Sequence, residues 1–256
     1  MNESLAHRTV GSIAEQQRFY VDMLNPATGE RILDAGCGRG ATLIVGLAQS
    51  PASSWHGAEY RALAVAACRR AAPDARLTTA DLRWLPYREA AFDVLLSRDS
   101  LECVPKPLEA IVEMARVLKP GGRLLLCHWD WHSQRFNVGD VALARRLSDI
   151  FAETQQSWME HIDPAMGRKL RGLVSRFKGL EVLQAGVVTL AETEWRDGAF
   201  GYEQSLAIDD LLTQRGNLSP SDSARWLSEL EIARSSGSYR YSLNHHFVLA
   251  RKALGA

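Results

Sequence analysis

The chain has 256 residues, a length at which one large α/β domain, or a core domain with a helical elaboration, is routine. Its 30 basic and 30 acidic residues cancel, which removes the broad electrostatic attraction that drives nucleic-acid binding. No apolar run approaches the roughly 20 residues of a spanning helix, and Met1-Asn2-Glu3-Ser4 lacks the basic-then-apolar order of a secretory signal, so the expectation is a cytoplasmic protein outside the membrane.

Gln16, Gln17, Arg18, Phe19 and Leu24 belong to an amphipathic segment that leads into the first predicted strand. Arg31-Ile32-Leu33-Asp34-Ala35-Gly36-Cys37-Gly38-Arg39-Gly40 then reads as a buried strand breaking into a glycine turn that opens a helix. Such a turn brings bare backbone and helix N-terminal N–H groups against a polar ligand. Helical spacing follows through Leu43, Ile44, Leu47 and Ala48, then a short strand at His56-Gly57-Ala58 reaching Glu59, and a helix over about 61–71. Residues 75–80 read as a third strand closing on Asp81, and Phe92-Asp93-Val94-Leu95-Leu96-Ser97 as a fourth.

Leu108, Ile111, Val112, Ala115 and Leu118 repeat at helical spacing until Lys119-Pro120-Gly121-Gly122 stops them, and 123–127 supply a fifth strand. Alternating strands and helices imply parallel pairing, with ligands bound beyond the carboxyl ends of the strands. The glycine turn, Glu59 and Asp81 each follow a strand, so they converge on one rim. Beyond 130 the expected elements are helices near 139–156 and 164–177, a strand over 180–193, helices over 206–214 and 219–235, and a closing strand over 241–250. Ser219-Pro220 has the N-cap and first-position proline of a helix start.

The four cysteines, Cys37, Cys68, Cys103 and Cys127, show no CxxC spacing, so reduced buried thiols are expected and neither a zinc site nor a disulfide framework. Gly36-x-Gly38-x-x-Ala41 by itself also fits the relaxed dinucleotide pattern, in which a pyrophosphate sits on the helix N-terminus. Asp34 alters that reading, because a carboxylate two residues before the first glycine repels a pyrophosphate and suits a ligand carrying an ammonium.

Taken together, these residues resemble the class I S-adenosylmethionine-dependent methyltransferases of the small-molecule, ubiquinone/menaquinone-biosynthesis type. Leu33-Asp34-Ala35-Gly36-Cys37-Gly38-Arg39-Gly40 stands for the family's first motif; Phe92-Asp93-Val94-Leu95 and Arg116-Val117-Leu118-Lys119-Pro120-Gly121-Gly122 match its fourth strand and the turn before its fifth. The resemblance covers about residues 10–130 well and the remainder by arrangement. It implies a Rossmann-like, doubly wound, mostly parallel seven-stranded sheet with an antiparallel last strand, an N-terminal helix and a helical lid insert near the carboxyl terminus. The implied layout is one domain over 1–256: a cap over 1–30, a cofactor core over 31–130, and substrate-side helices, two strands and the lid over 131–256.

The implied ligand is S-adenosylmethionine, released as S-adenosylhomocysteine. Its implied contacts are Asp34, Gly36, Cys37, Gly38 and Gly40, with Glu59 on the ribose hydroxyls, Tyr60 beside adenine, Asp81 and Leu82 reading adenine, Arg98 on the same rim, and Arg18 pairing the methionine carboxylate. Acceptor pockets in this family are built from the loops after the fourth and fifth strands and the variable carboxyl-terminal elements. Here those hold Arg98-Asp99-Ser100-Leu101-Glu102, His128-Trp129-Asp130-Trp131-His132 and the 195–237 insert.

His128, Asp130 and Glu102 are the expected proton-handling residues, and Trp129, Trp131, His132, Trp158 and Tyr202 the expected acceptor contacts. His161 and Trp226 are further pocket candidates, and the neighbours His245 and His246 point to opposite faces of one strand. The expected partner is a small, aromatic or heterocyclic acceptor attacked at O, N or C, with no nucleic acid, no membrane and no metal, in a monomer or homodimer. The competing readings are an RNA or protein methyltransferase, a non-catalytic S-adenosylmethionine-binding protein and, more remotely, an NAD-dependent oxidoreductase.

Overall fold

The computed structural model describes residues 7–254, so Met1-Asn2-Glu3-Ser4 lies outside the described residues. In chain order the elements are β1 (His7–Val10), α1 (Ile13–Leu24), β2 (Arg31–Ala35), α2 (Ala41–Gln49), β3 (Ser54–Glu59), α3 (Ala62–Ala71), β4 (Arg76–Thr79) and β5 (Phe92–Arg98). A single 3-10 turn (Leu101–Cys103) follows, then α4 (Pro107–Val117), β6 (Leu118–Phe136), α5 (Val141–Ala152), α6 (Met166–Ser175), β7 (Leu180–Glu192), α7 (Phe200–Gln214), α8 (Pro220–Ser235) and β8 (Tyr241–Lys252). The strands form one sheet in the order β1-β7-β8-β6-β5-β2-β3-β4.

Strands β4, β3, β2, β5 and β6 pair in parallel, whereas β8 runs antiparallel between β6 and β7. The chain moves outward from β2 to β4 and returns to the other side of β2 as β5. This reversal is the switch point at which the loops diverge and leave a crevice over the carboxyl ends.

Period-two alternation divides the core into two layers. Ile32, Val94, Leu96 and Leu125 face one side with Leu24 of α1 and Leu43 of α2. Leu33, Leu95, Leu124 and Leu126 face the other with Ile111 and Met114 of α4 and Leu170 of α6. The lid insert is anchored by Trp226, which is fully buried, stands edge-on to Phe136 at 5.1 Å and donates its indole N–H to the Ser205 carbonyl at 3.1 Å. Ser219 caps α8 by accepting from the Asp222 N–H, with Pro220 in the first turn.

Two points differ from the sequence expectation. The sheet has eight strands, because β1 adds to its edge parallel to β7; only Val10 of its four residues is buried, so no apolar alternation announces it. The fifth predicted strand, now β6, also continues past Cys127 through His128-Trp129-Asp130-Trp131-His132 to Phe136, held by pairing with β8.

Candidate active site

The glycine turn follows β2 on the rim of the sheet. Gly36 has φ +86°, and a Cβ there would sit 2.0 Å from the Ser100 hydroxyl, so the turn closes on the loop after β5 only when this side chain is missing. A Cβ on Gly38, at φ +53°, would meet no protein atom within 4 Å, because this backbone faces the cleft. The Gly36 and Cys37 N–H groups donate to the Ala58 carbonyl and the Gly40 N–H to the Cys37 carbonyl, which closes the turn on itself.

The cleft encloses about 270 Å³ and is lined by the glycine turn, the ends of β3 and β5, the Asp81-Leu82 turn and the segment at Trp158 and Glu160. Asp34 forms part of its floor. The carboxylate is 2% exposed, and among the described residues it accepts no side-chain hydrogen bond and forms no ion pair. Burial, together with Glu59 and against the pull of Arg98, raises its pKa from 3.8 to about 7. A buried carboxylate without a protein partner is costly, and a cation in the cleft would satisfy it.

Glu59 stands at the end of β3. Its Oε2 accepts from the Gly38 N–H at 3.1 Å and its Oε1 from the Arg61 N–H at 2.9 Å, which fixes the carboxylate against the turn. Asp81 accepts from the backbone and guanidinium of Arg83, and this hydrogen bonding holds its pKa below the usual carboxylate range. Arg83 also bonds Glu160 at 2.9 Å, tying the Asp81 turn to the segment that carries Trp158. Tyr60 is 65% exposed and Trp158 42% exposed, both at the cleft, with the Arg61 guanidinium 4.6 Å from the Trp158 ring centre.

Arg98 ends β5 and lines the cleft; its Nη1 donates to Gln16 Oε1 of α1 at 3.3 Å. The expected cofactor contacts Asp34, Gly36, Cys37, Gly38, Glu59, Tyr60, Asp81, Leu82 and Arg98 therefore meet in one cavity, and Gly40 caps α2 beside it. Arg18 does not meet them: it is an exposed side chain of α1 away from the lining, and the buried α1 residue touching the cleft wall is Gln16. Burial pushes the Cys37 thiol up, and the Cys103 thiol at the cleft to about 12, so neither is a ready thiolate.

The cluster at 128–132 is placed differently from the expectation. Because β6 continues through it, its residues alternate between sheet faces, and none lines this cleft. Asp130 is bidentate to Arg168 at 2.7 and 2.6 Å. His128 is buried; its Nε2 accepts from the Glu102 N–H, its Nδ1 faces the Trp129 carbonyl, and burial lowers its pKa to about 4. Glu102 is also off the cleft; burial raises its pKa to about 8, and Oε2 accepts from the Trp131 indole at 2.9 Å.

Trp129 stacks on Phe200, Trp131 packs on Phe151, and His132 pairs with Glu153. Tyr202 packs on Trp195, Trp226 lies inside the lid and His161 is exposed. Of the expected acceptor contacts, only Trp158 lines the cleft. Asp99 and Ser100, from the loop expected to form the acceptor pocket but not named there as individual site residues, also line it, together with Cys103 and Arg61; Asp99 follows the end of β5 as Glu59 ends β3, so the same strand-end rule points to it.

Residues 33–126 match a family described as a methyltransferase domain. A 37.1 kDa protein in transposon Tn4556 of Streptomyces fradiae is 28% identical over 233 residues, covering 87% of this chain and 64% of its own length. Demethylmenaquinone methyltransferase of Clavibacter sepedonicus is 31% identical over 163 residues, covering 62% of this chain and 60% of its own length. The chain thus spans less than two thirds of these relatives. Among solved structures, the YcgJ protein of Bacillus subtilis superposes with a TM-score of 0.59 at 18% identity, covering 93% of this chain and 98% of that one.

Proposed function

We propose that this chain, whose residues 33–126 match a methyltransferase domain, is a class I S-adenosylmethionine-dependent methyltransferase that moves a methyl group from S-adenosylmethionine to a small acceptor, releasing S-adenosylhomocysteine. The observation that carries this reading is Asp34, a buried carboxylate with no hydrogen-bond or ion-pair partner among the described residues, facing a cleft whose other walls offer bare glycine backbone and the carboxylate of Glu59. An ammonium against Asp34 relieves the cost of that burial, which no pyrophosphate would do.

S-adenosylmethionine supplies a methyl group already activated by the sulfonium next to it. The chain's own task is therefore to bind, align and exclude water. In this reading Asp34 meets the ligand ammonium and Arg98, steadied by Gln16, meets its carboxylate. Glu59, fixed by the Gly38 and Arg61 N–H groups, accepts the ribose hydroxyls. Three N–H groups of Arg83, one of them shared between the two oxygens, occupy the Asp81 carboxylate and leave it about one further lone-pair site, enough to accept the adenine amino group, with Leu82 beside it. Tyr60 and Trp158 cover the open side.

The acceptor enters beside Asp99, Ser100, Cys103 and Trp158 and is attacked at O, N or C. The aromatic Trp158 wall suits an aromatic or heterocyclic metabolite. Isothermal titration tests the first half of the proposal. S-adenosylmethionine and S-adenosylhomocysteine are expected to bind the wild type, and Glu59→Ala to weaken both; the absence of binding by either ligand, or wild-type affinity in Glu59→Ala, overturns the cofactor assignment.

A further inference from the structure

Three side chains from distant parts of the chain meet at the inner wall of the cleft, and cofactor binding leaves them unused. The Tyr20 hydroxyl on α1 lies 2.6 Å from Nδ1 of His245 on β8, and Nε2 of His245 lies 2.8 Å from Oδ1 of Asp99 at the end of β5. Tyr20 and His245 are buried, and of the three only Asp99 lines the cleft. The Trp129 indole stands edge-on to His245 with ring centres 4.3 Å apart, sealing its flank from water.

The chemistry of these groups fixes the direction of the chain. Burial lowers the pKa of His245 and so favours the neutral imidazole, which has one donor and one acceptor nitrogen. A carboxylate only accepts, so Nε2–H donates to Asp99 and Nδ1 accepts from the Tyr20 hydroxyl. Asp99 adopts φ +54°, a left-handed conformation that aspartate tolerates better than most residues, while its N–H donates to the Cys127 carbonyl at 3.1 Å. The local backbone is thus bent to aim one carboxylate at the cleft.

Resting on the methyltransferase reading above, we propose that Asp99 takes the acceptor's proton during methyl transfer and that His245 and Tyr20 are positioning residues that hold its carboxylate in place. The substrate class is then a protic nucleophile, an O–H acceptor or a weakly basic N–H acceptor of amide or indole type, whose methylated cation is a stronger acid than a carboxylic acid. Its lone pair forms the bond to the methyl carbon while the carbon–sulfur bond breaks and leaves its electron pair on sulfur; the proton goes to a carboxylate oxygen of Asp99 and thence to water on product release. Burial would raise the pKa of Asp99, but the Nε2–H bond from His245 and the neighbouring Arg98 guanidinium oppose it and hold the group below the usual carboxylate range. A weak base suffices, since a hydroxyl becoming an oxonium is far more acidic than any carboxylic acid. The other charged or titratable groups around it are Arg98, His128, Cys127 and Glu102.

The test uses the full chain, methyl-labelled S-adenosylmethionine and a metabolite extract as the source of acceptor. Variants are Asp99→Asn, Asp99→Gly, which accepts the left-handed backbone, and Tyr20→Phe. Expected are a fall in labelling rate of about 100-fold or more for both Asp99 variants, the lower range for a lost proton acceptor, with S-adenosylmethionine affinity kept within about threefold. Added formate should restore a measurable part of the Asp99→Gly rate, an effect that a purely structural role would not show. Tyr20→Phe should lower the turnover rate and leave the cofactor affinity in place.

Labelling by Asp99→Asn at the wild-type rate, or an Asp99→Gly loss that formate does not touch, overturns the assignment while the methyltransferase reading stands. A wild type that binds S-adenosylmethionine and labels nothing sinks that reading, and this inference with it. Should Asp99→Asn also lose cofactor binding, the formate response of Asp99→Gly decides.

Discussion

Lowering the pH from 8 to 5 is expected to weaken S-adenosylmethionine binding about ninetyfold. Asp34 must be ionised to meet the ligand ammonium, yet its pKa in the free protein is raised to about 7. The dissociation constant then scales as one plus ten to the power (7 − pH), close to 1.1 at pH 8, about 11 at pH 6 and about 100 at pH 5. The ligand's own ammonium, carboxylate and sulfonium keep their charges between pH 7 and 5, so most of the effect belongs to the protein.

Asp34→Asn supplies the complementary arm. A carboxyl raised above its ordinary 3.8 binds extra protons in the folded state, so its ionisation opposes folding, progressively as pH rises from about 4 to 7 and fully above 7. At 1.36 kcal/mol per pH unit the burden approaches about 4 kcal/mol. The variant should therefore melt higher than the ligand-free wild type at pH 8, bind S-adenosylmethionine more weakly, and bind it with no slope between pH 5 and 7. Isothermal titration across pH and thermal unfolding of both proteins provide the readouts. Wild-type affinity that is flat from pH 5 to 7, or a variant less stable than the wild type, refutes this account of Asp34.

Glu59→Gln should cost about 1.5–3 kcal/mol of cofactor affinity, the range for a hydrogen bond to a charged group, measured by titration against S-adenosylhomocysteine. Gly36→Ala forces a Cβ to within 2.0 Å of the Ser100 hydroxyl at a left-handed φ, so unfolding should show a loss of more than about 2 kcal/mol. Trp226→Ala empties the buried anchor of the lid and should lower stability by about 3–5 kcal/mol in denaturant titration. Asp130→Ala strands the Arg168 guanidinium and is expected to reduce the melting temperature while leaving the labelling rate near wild type.

The core from β2 to α4 was legible because each element carries its own periodicity and its own stop, as at Lys119-Pro120-Gly121-Gly122 after α4. That the rim of the sheet forms one cleft was legible for a topological reason: parallel strands bring their carboxyl ends together, so Gly36, Glu59 and Asp81 meet whatever their separation along the chain. The 128–132 cluster misled because its composition suggests a site while only pairing with β8 makes it a strand, and no local residue reports a partner more than 100 residues away. His245 shows the same limit. Strand alternation turns it inward, yet its contacts to Tyr20 and Asp99 depend on α1 packing against β8, a tertiary fact without a local signal.

The most direct test of the central claim is incubation of the protein with methyl-labelled S-adenosylmethionine and a metabolite extract, followed by mass spectrometry of the products. The expected result is label in a small O- or N-methylated compound, with S-adenosylhomocysteine formed in equal amount. Label found only in RNA or protein would contradict the small-molecule acceptor, and bound S-adenosylmethionine with no labelled product would contradict methyl transfer.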